Sequence, residues 1–227
     1  MKSIGFTSSI IAAAAISVAV SVAPAHATSF DTPIYFNNIP GGATNGDAFK
    51  ANFYYTVSTQ NLASNEVLFK IFNTAPSGQT RFISEVAFEL TNNVGLLSNM
   101  VLNSGNAGTV NFQANANGNL PQGSLVGINN PNDFNATRVP GGGANLNAIQ
   151  AGEALGIKFN YTGTSAALLD KLDKHSLLLG IHVQTLPDGQ SDSYATIPTP
   201  ALLPGLIGLG LGVIRKRRSE KAEQADA

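Results

Sequence analysis

The sequence predicts an all-β fold: an antiparallel two-sheet β-sandwich, jelly-roll or immunoglobulin-like in layout, with one short helix, flanked by a signal peptide and a short C-terminal membrane helix. Three observations predict it. Short blocks of alternating apolar and polar residues, rich in β-branched and aromatic types, recur through the middle of the chain. Clusters of asparagine, glycine and proline separate them, and a single stretch carries a helical period. Many brief strands with such turns bury their apolar faces by packing as two sheets.

The first element, residues 1–27, reads as an export signal. Lys2 supplies a positive start, Ile10 to Ala23 an apolar stretch, and Ala25 and Ala27 the small residues that a signal peptidase requires. Cleavage after Ala27 leaves Thr28 as the new N-terminus. A retained membrane helix is disfavoured, because the apolar stretch is shorter than the roughly 20 residues of a span and Pro24 breaks it.

Residues 28–196 form the passenger, long enough for one domain that buries roughly 70% of its unfolded surface. Strands are expected at Phe49 to Thr59, Glu66 to Phe72, Arg81 to Leu90, Thr109 to Gln113, Leu155 to Tyr161 and Leu177 to Gln184. The turn cluster Ala75-Pro76-Ser77-Gly78 suggests an antiparallel connection between the second and third of these, and Pro187-Asp188-Gly189 ends the last. From Asn92 to Asn147 asparagine and glycine dominate, so that half reads as ordered loops with short strands, held by apolar residues such as Leu97, Val110, Leu125 and Ile128. Thr164 or Ser165 can cap a helix of two or three turns with Leu168, Leu169 and Leu172 on its inner face.

Composition narrows the function. Seven basic against eleven acidic side chains leave residues 28–196 with a net charge of −4, and no basic residue falls between Arg81 and Arg138. Nucleic acid is therefore not an expected partner, since phosphate neutralisation dominates that affinity. Cysteine is absent, which removes disulfides and thiolate metal sites.

The tail has three parts. Ile197-Pro198-Thr199-Pro200-Ala201 (197–201) is followed by an apolar, glycine-rich run at 202–214 and by Arg215, Lys216, Arg217 and Arg218, with a polar segment at 219–227. The run is a marginal membrane helix, and the four cations act as a stop that stays cytoplasmic, leaving the passenger outside. In this order the tail resembles the PTPA variant of PEP-CTERM sorting signals, found on exported proteins of cyanobacteria and other diderm bacteria. The resemblance implies that residues 197–218 are a sorting signal, that Pro198, Thr199, Pro200 and Ala201 are its recognition motif, and that an exosortase-type membrane protease reads it. A Leu-Pro-x-Thr-Gly sortase signal is excluded because Leu203-Pro204-Gly205-Leu206 lacks the threonine.

The passenger also resembles the single-domain sandwiches that precede such tails, through Phe69-Lys70-Ile71-Phe72-Asn73, Ile83-Ser84-Glu85-Val86-Ala87-Phe88, Leu120-Pro121, Asn132-Asp133-Phe134, Ala151-Gly152-Glu153, Leu179-Gly180-Ile181-His182-Val183-Gln184 and Ser191-Asp192-Ser193. The resemblance implies a surface or extracellular location, in the exopolysaccharide layer, and no particular mechanism.

Candidate chemistry is sparse. His182 shares its strand face with Leu178, Gly180 and Gln184 and is expected to be exposed; with Ser191 and Asp192 it sketches a triad that lacks any nucleophile turn or oxyanion donors. Asp188 and Asp192 match no calcium loop. Glu85 and Glu89 lie on one strand face as ordinary outward residues, with Val86 and Phe88 inward. Tyr35, Tyr54, Tyr55, Tyr161 and Tyr194 are the available platforms for stacking on sugars; tryptophan is absent. Tyr54 and Tyr55 are consecutive, so one must face outward. The expected protein is non-enzymatic, without metal or cofactor, with a carbohydrate-binding module as the first alternative and a secreted hydrolase as the second. Its expected partners are signal peptidase, the sorting protease, the inner membrane before processing, and exopolysaccharide.

Overall fold

Alternation in the sequence becomes two-faced strands. The computed structural model describes residues 30–196 apart from 44, 92–94, 130–132, 142 and 144, so the signal peptide with Ala25 and Ala27 and the tail with Pro198, Thr199, Pro200, Ala201, Arg215, Lys216, Arg217 and Arg218 lie outside the described residues. The strands are β1 (Phe30–Tyr35), β2 (Asn37–Asn38), β3 (Phe53–Ser58), β4 (Glu66–Asn73), β5 (Phe82–Glu89), β6 (Leu97–Leu102), β7 (Phe112–Ala114), β8 (Phe134–Arg138), β9 (Ala154–Tyr161), β10 (Leu178–Gln184) and β11 (Asp192–Ala195), and among the described residues an α-helix, α1 (Ser165–Asp173), lies between β9 and β10. A first sheet runs β1-β3-β4-β9-β6 and a second β2-β11-β10-β5-β8-β7. All their pairings are antiparallel. The two sheets make the expected sandwich.

Its interior is filled by the inward positions of both sheets. Tyr55, Val57, Val67, Phe69, Ile71, Ile157 and Phe159 of the first meet Val86, Phe88, Leu179, Ile181 and Val183 of the second. At the centre Phe88 meets Phe159 at 4.9 Å and Phe69 at 5.3 Å, both edge-to-face, the arrangement that ring quadrupoles favour. The helix starts as its cap predicts: Ala167 N donates to Thr164 Oγ1 at 3.2 Å, and Leu168 and Leu172 are buried.

Several expectations need correction. The block from Phe49 starts later, because Gly46–Asn52 forms a 3₁₀ segment and pairing begins at Phe53; the block at Thr109 becomes Phe112–Ala114. β4 and β5 are not neighbours in a sheet. Each carries one mainly apolar face, and placing them in opposite sheets buries both, Phe69 against Phe88. Asn73 fixes the crossing, its Nδ2 donating to the carbonyls of Arg81 (3.1 Å) and Ile149 (3.0 Å) while its Oδ1 accepts from Ala75 N (3.1 Å).

The outer face of the second sheet differs most from expectation. Ala195, Gly180 and Ala87 lie side by side across β11, β10 and β5 and form a shallow floor. Leu120 and Ile128, from the asparagine-rich segment after β7, cover it together with Ile39 and Leu178, making a second, smaller core. A Cβ on Gly180 would stand 2.8 Å from Ile128 Cδ1 and would collide with Leu120 Cδ2, so this glycine admits the cover. The first sheet keeps the alternation of buried and half-exposed residues along β3 and β4.

Candidate functional site

On the open face of the first sheet, register assembles an aromatic strip. Of the consecutive tyrosines on β3, Tyr55 turns inward, where burial pushes its phenol above the ordinary range, and Tyr54 turns outward. Antiparallel pairing sets Tyr35 of β1 opposite Tyr54, and Tyr54 opposite Phe72 of β4. The Tyr54 and Phe72 rings stack at 4.7 Å with 17° between their planes, and Tyr35 follows at 5.6 Å and 52°. Tyr35 is 54% exposed. Lys70 Nζ stands 5.6 Å from the Phe72 centroid, within reach of a cation–π contact. Beyond Tyr35 the strip opens into a hollow of about 280 Å³ bounded by Phe36, Asn37, Lys50 and Ala51.

Chemically this surface offers flat ring faces, two phenolic hydroxyls that both donate and accept, and a cation at one end. Flat apolar faces with polar rims are also what a sugar ring presents, so stacking and rim hydrogen bonds can act together. The remaining tyrosines serve packing: Tyr161 lies against the core, and Tyr194 is buried with its hydroxyl donating to Gly46 O at 2.8 Å.

The sketched triad is not brought together. His182 is half-buried, between Ser193 on β11 and Glu85 on β5 in lateral register, and its Nδ1 lies 3.1 Å from Ser193 Oγ. Desolvation holds its pKa below the ordinary value, opposed by the charge of Asp192. Asp192 itself is 1% exposed and turned toward β2: its oxygens accept from Asn38 Nδ2 (2.7 Å) and Ser193 N (2.8 Å), and Gly42 and Gly46 close against the carboxylate. Ser191 sits on the exposed rim beside Gly41 and Gln122.

The carboxylates are likewise engaged in holding the fold. Glu85 and Glu89 are not ordinary outward residues, because the segment carrying Leu120 and Ile128 covers their face. Glu85 is half-buried and accepts from Asn135 Nδ2 at 2.6 Å; burial pushes its pKa up against that hydrogen bond. Glu89, 7% exposed, accepts from Asn129 N (3.2 Å) and Asn129 Nδ2 (2.9 Å). Asp188 lies exposed in the Pro187–Gly189 turn with φ at 65°, and among the described residues no group of three or more His, Cys, Asp or Glu is placed to hold a metal ion. Nor is any described helix long and apolar enough to cross a membrane.

Compared with protein-family models, curated proteins and solved structures, the chain matches none. Its functional reading therefore rests on its own residues and on the sequence resemblance. Sequence reasoning placed one of Tyr54 and Tyr55 outward without saying which, and it missed Tyr35 and Phe72 as companions of Tyr54, because their meeting depends on register between three strands. The outward parity of Phe72 opposite Ile71 was the available signal.

Proposed function

We propose that this chain is an exported, non-catalytic β-sandwich of the cell surface or extracellular matrix, and that its aromatic strip binds a carbohydrate polymer of the exopolysaccharide layer. The observation that carries the binding reading is the row Tyr35, Tyr54 and Phe72 on the open face of the first sheet. Neighbouring strands are about 4.8 Å apart, so rings at one register form a continuous ledge along which a chain of sugars can lie. Because the rings already pack on one another, little side-chain entropy is lost when a ligand settles on them. Export and location follow from residues 1–27 and from the resemblance of residues 197–218 to a sorting signal. The non-catalytic reading is supported by His182, Glu85, Glu89 and Asp192, whose polar atoms face serine, asparagine and backbone partners inside the fold.

Affinity electrophoresis of the mature protein in gels containing polysaccharide from the producing cells tests the reading. Retardation should fall about tenfold in apparent affinity, equivalent to about 1.4 kcal/mol, for Tyr54→Ala, and remain at the parental value for Gln113→Ala on the far sheet. Migration of the parent unaffected by every polysaccharide fraction would rule the binding reading out.

A further inference from the structure

Beside α1 lies an apolar groove of about 360 Å³, with Thr32 and Ile34 of β1 on one wall and Leu169, Leu172, Asp173 and His175 on the other. β1 ends its sheet, pairing only with β3, so its other edge borders the groove.

The route of the chain out of β11 leads there. β11 is held between β2 and β10 and runs antiparallel to both, with Ala195 opposite Asn37 on one side and Gly180 on the other. Thr196, the last described residue, is fastened to β10: its N donates to Leu179 O at 2.9 Å, and its Oγ1 accepts from Leu179 N at 3.0 Å. A chain continuing in that direction moves back along both neighbours, from Asn37 toward Ile34 and from Leu179 toward His175. Those two residues stand on opposite walls of the groove. Three extended residues cover about 10 Å, the same length as the three register steps from Asn37 back to Ile34.

We propose that the groove is the docking site of the chain's own segment Ile197-Pro198-Thr199-Pro200-Ala201. Ile197 supplies an apolar side chain for the surface of Ile34, Leu169 and Leu172. A proline fixes its own φ and biases the residue before it toward extended backbone, so Pro198 and Pro200 lower the ordering cost of docking. Thr32 and Ile34 stand two residues apart on β1, a wall of about 7 Å, so two or three extended residues fill the length beside β1. The docking rests on the groove and the exit path, independently of the sorting and carbohydrate readings.

The chain has no cysteine, so introduced pairs report proximity without background. In the full-length, unprocessed protein, Thr199→Cys is combined with Thr32→Cys or with Asp173→Cys, both exposed rim positions whose replacement spares the core. Gln113→Cys, on β7 at the far edge of the second sheet, is the control partner. Under mild oxidation the rim pairs should form intramolecular disulfides at least tenfold faster than the control pair, and Leu169→Asp should return them to the control rate. Rates equal to the control, or disulfides that join two chains instead of closing within one, would overturn the proposal.

Discussion

Gly180→Ala tests whether the second core depends on one missing side chain. The added methyl meets Leu120 Cδ2 and Ile128 Cδ1, and each of those residues is 1% exposed, so neither has free space to retreat into. Two responses compete. The two side chains can repack in strained rotamers, at about 1–3 kcal/mol, or the covering segment can lift and return both to water, at about 1.5–3 kcal/mol for each side chain and so roughly twice that in total. The smaller cost decides, and Gly180→Ala should lose about 1–3 kcal/mol with the cover still in place. Gly180→Val, too large to be accommodated by rotamer shifts, should cross to the second response. Urea unfolding followed by fluorescence and amide exchange gives both readouts: a lower midpoint at constant m-value for alanine, and for valine faster exchange at Ile128 N, which donates to Gly123 O at 3.0 Å. A loss below about 0.5 kcal/mol for alanine, with unchanged exchange for valine, would refute the reasoning.

Phe159→Ala removes a ring that meets Phe69, Phe88 and Phe134, and urea unfolding should show a loss of about 3–5 kcal/mol. The folded pKa of His182 lies below the ordinary 6.5, so its contribution to stability is complete above pH 6.5 and is lost as pH falls through 6.5 toward the folded value; His182→Gln should flatten that limb of a stability–pH curve. Glu85 has the opposite sign: with a folded pKa raised above 4.5, its contribution is present below pH 4.5 and is lost as pH rises through the folded value, and Glu85→Gln should abolish that loss in the same titration. In cells, Pro198→Ala with Pro200→Ala should leave export intact and block C-terminal maturation, read by the mass of the mature terminus; a parental mass would point to a plain tail anchor.

The elements legible in the sequence are those whose own pattern suffices. β4, β5, β9 and β10 alternate or run apolar over seven or eight residues, and they appear within a residue or so of their expected bounds. α1 announces itself through Thr164 and its leucine stripe. β1, broken by Pro33, and β2, two residues long, carry no such pattern and exist because β3 and β11 supply partners. β11 was legible only as a polar turn, since the burial of Asp192 and Ser193 comes from Asn38, Gly42 and His182, which approach from elsewhere in the chain. For the same reason the cover over Gly180 and the companions of Tyr54 were hidden: both depend on which residues face each other across strands, which a linear pattern does not state.

The pairing of β2 with β11 also sets an order of events. Asn37 and Asn38 wait for Ala195 and Tyr194, almost the whole length of the passenger away. A chain made N-terminus first can form the β3–β4 hairpin early, but it cannot complete the second sheet until its final strand arrives. Contacts this distant in sequence are slow to form, because loop closure must precede their reward. Until residue 195 emerges, the second sheet lacks the strand that joins β10 to β2. The β2–β11 end of the second sheet is therefore the last part of the fold to be completed as the chain emerges.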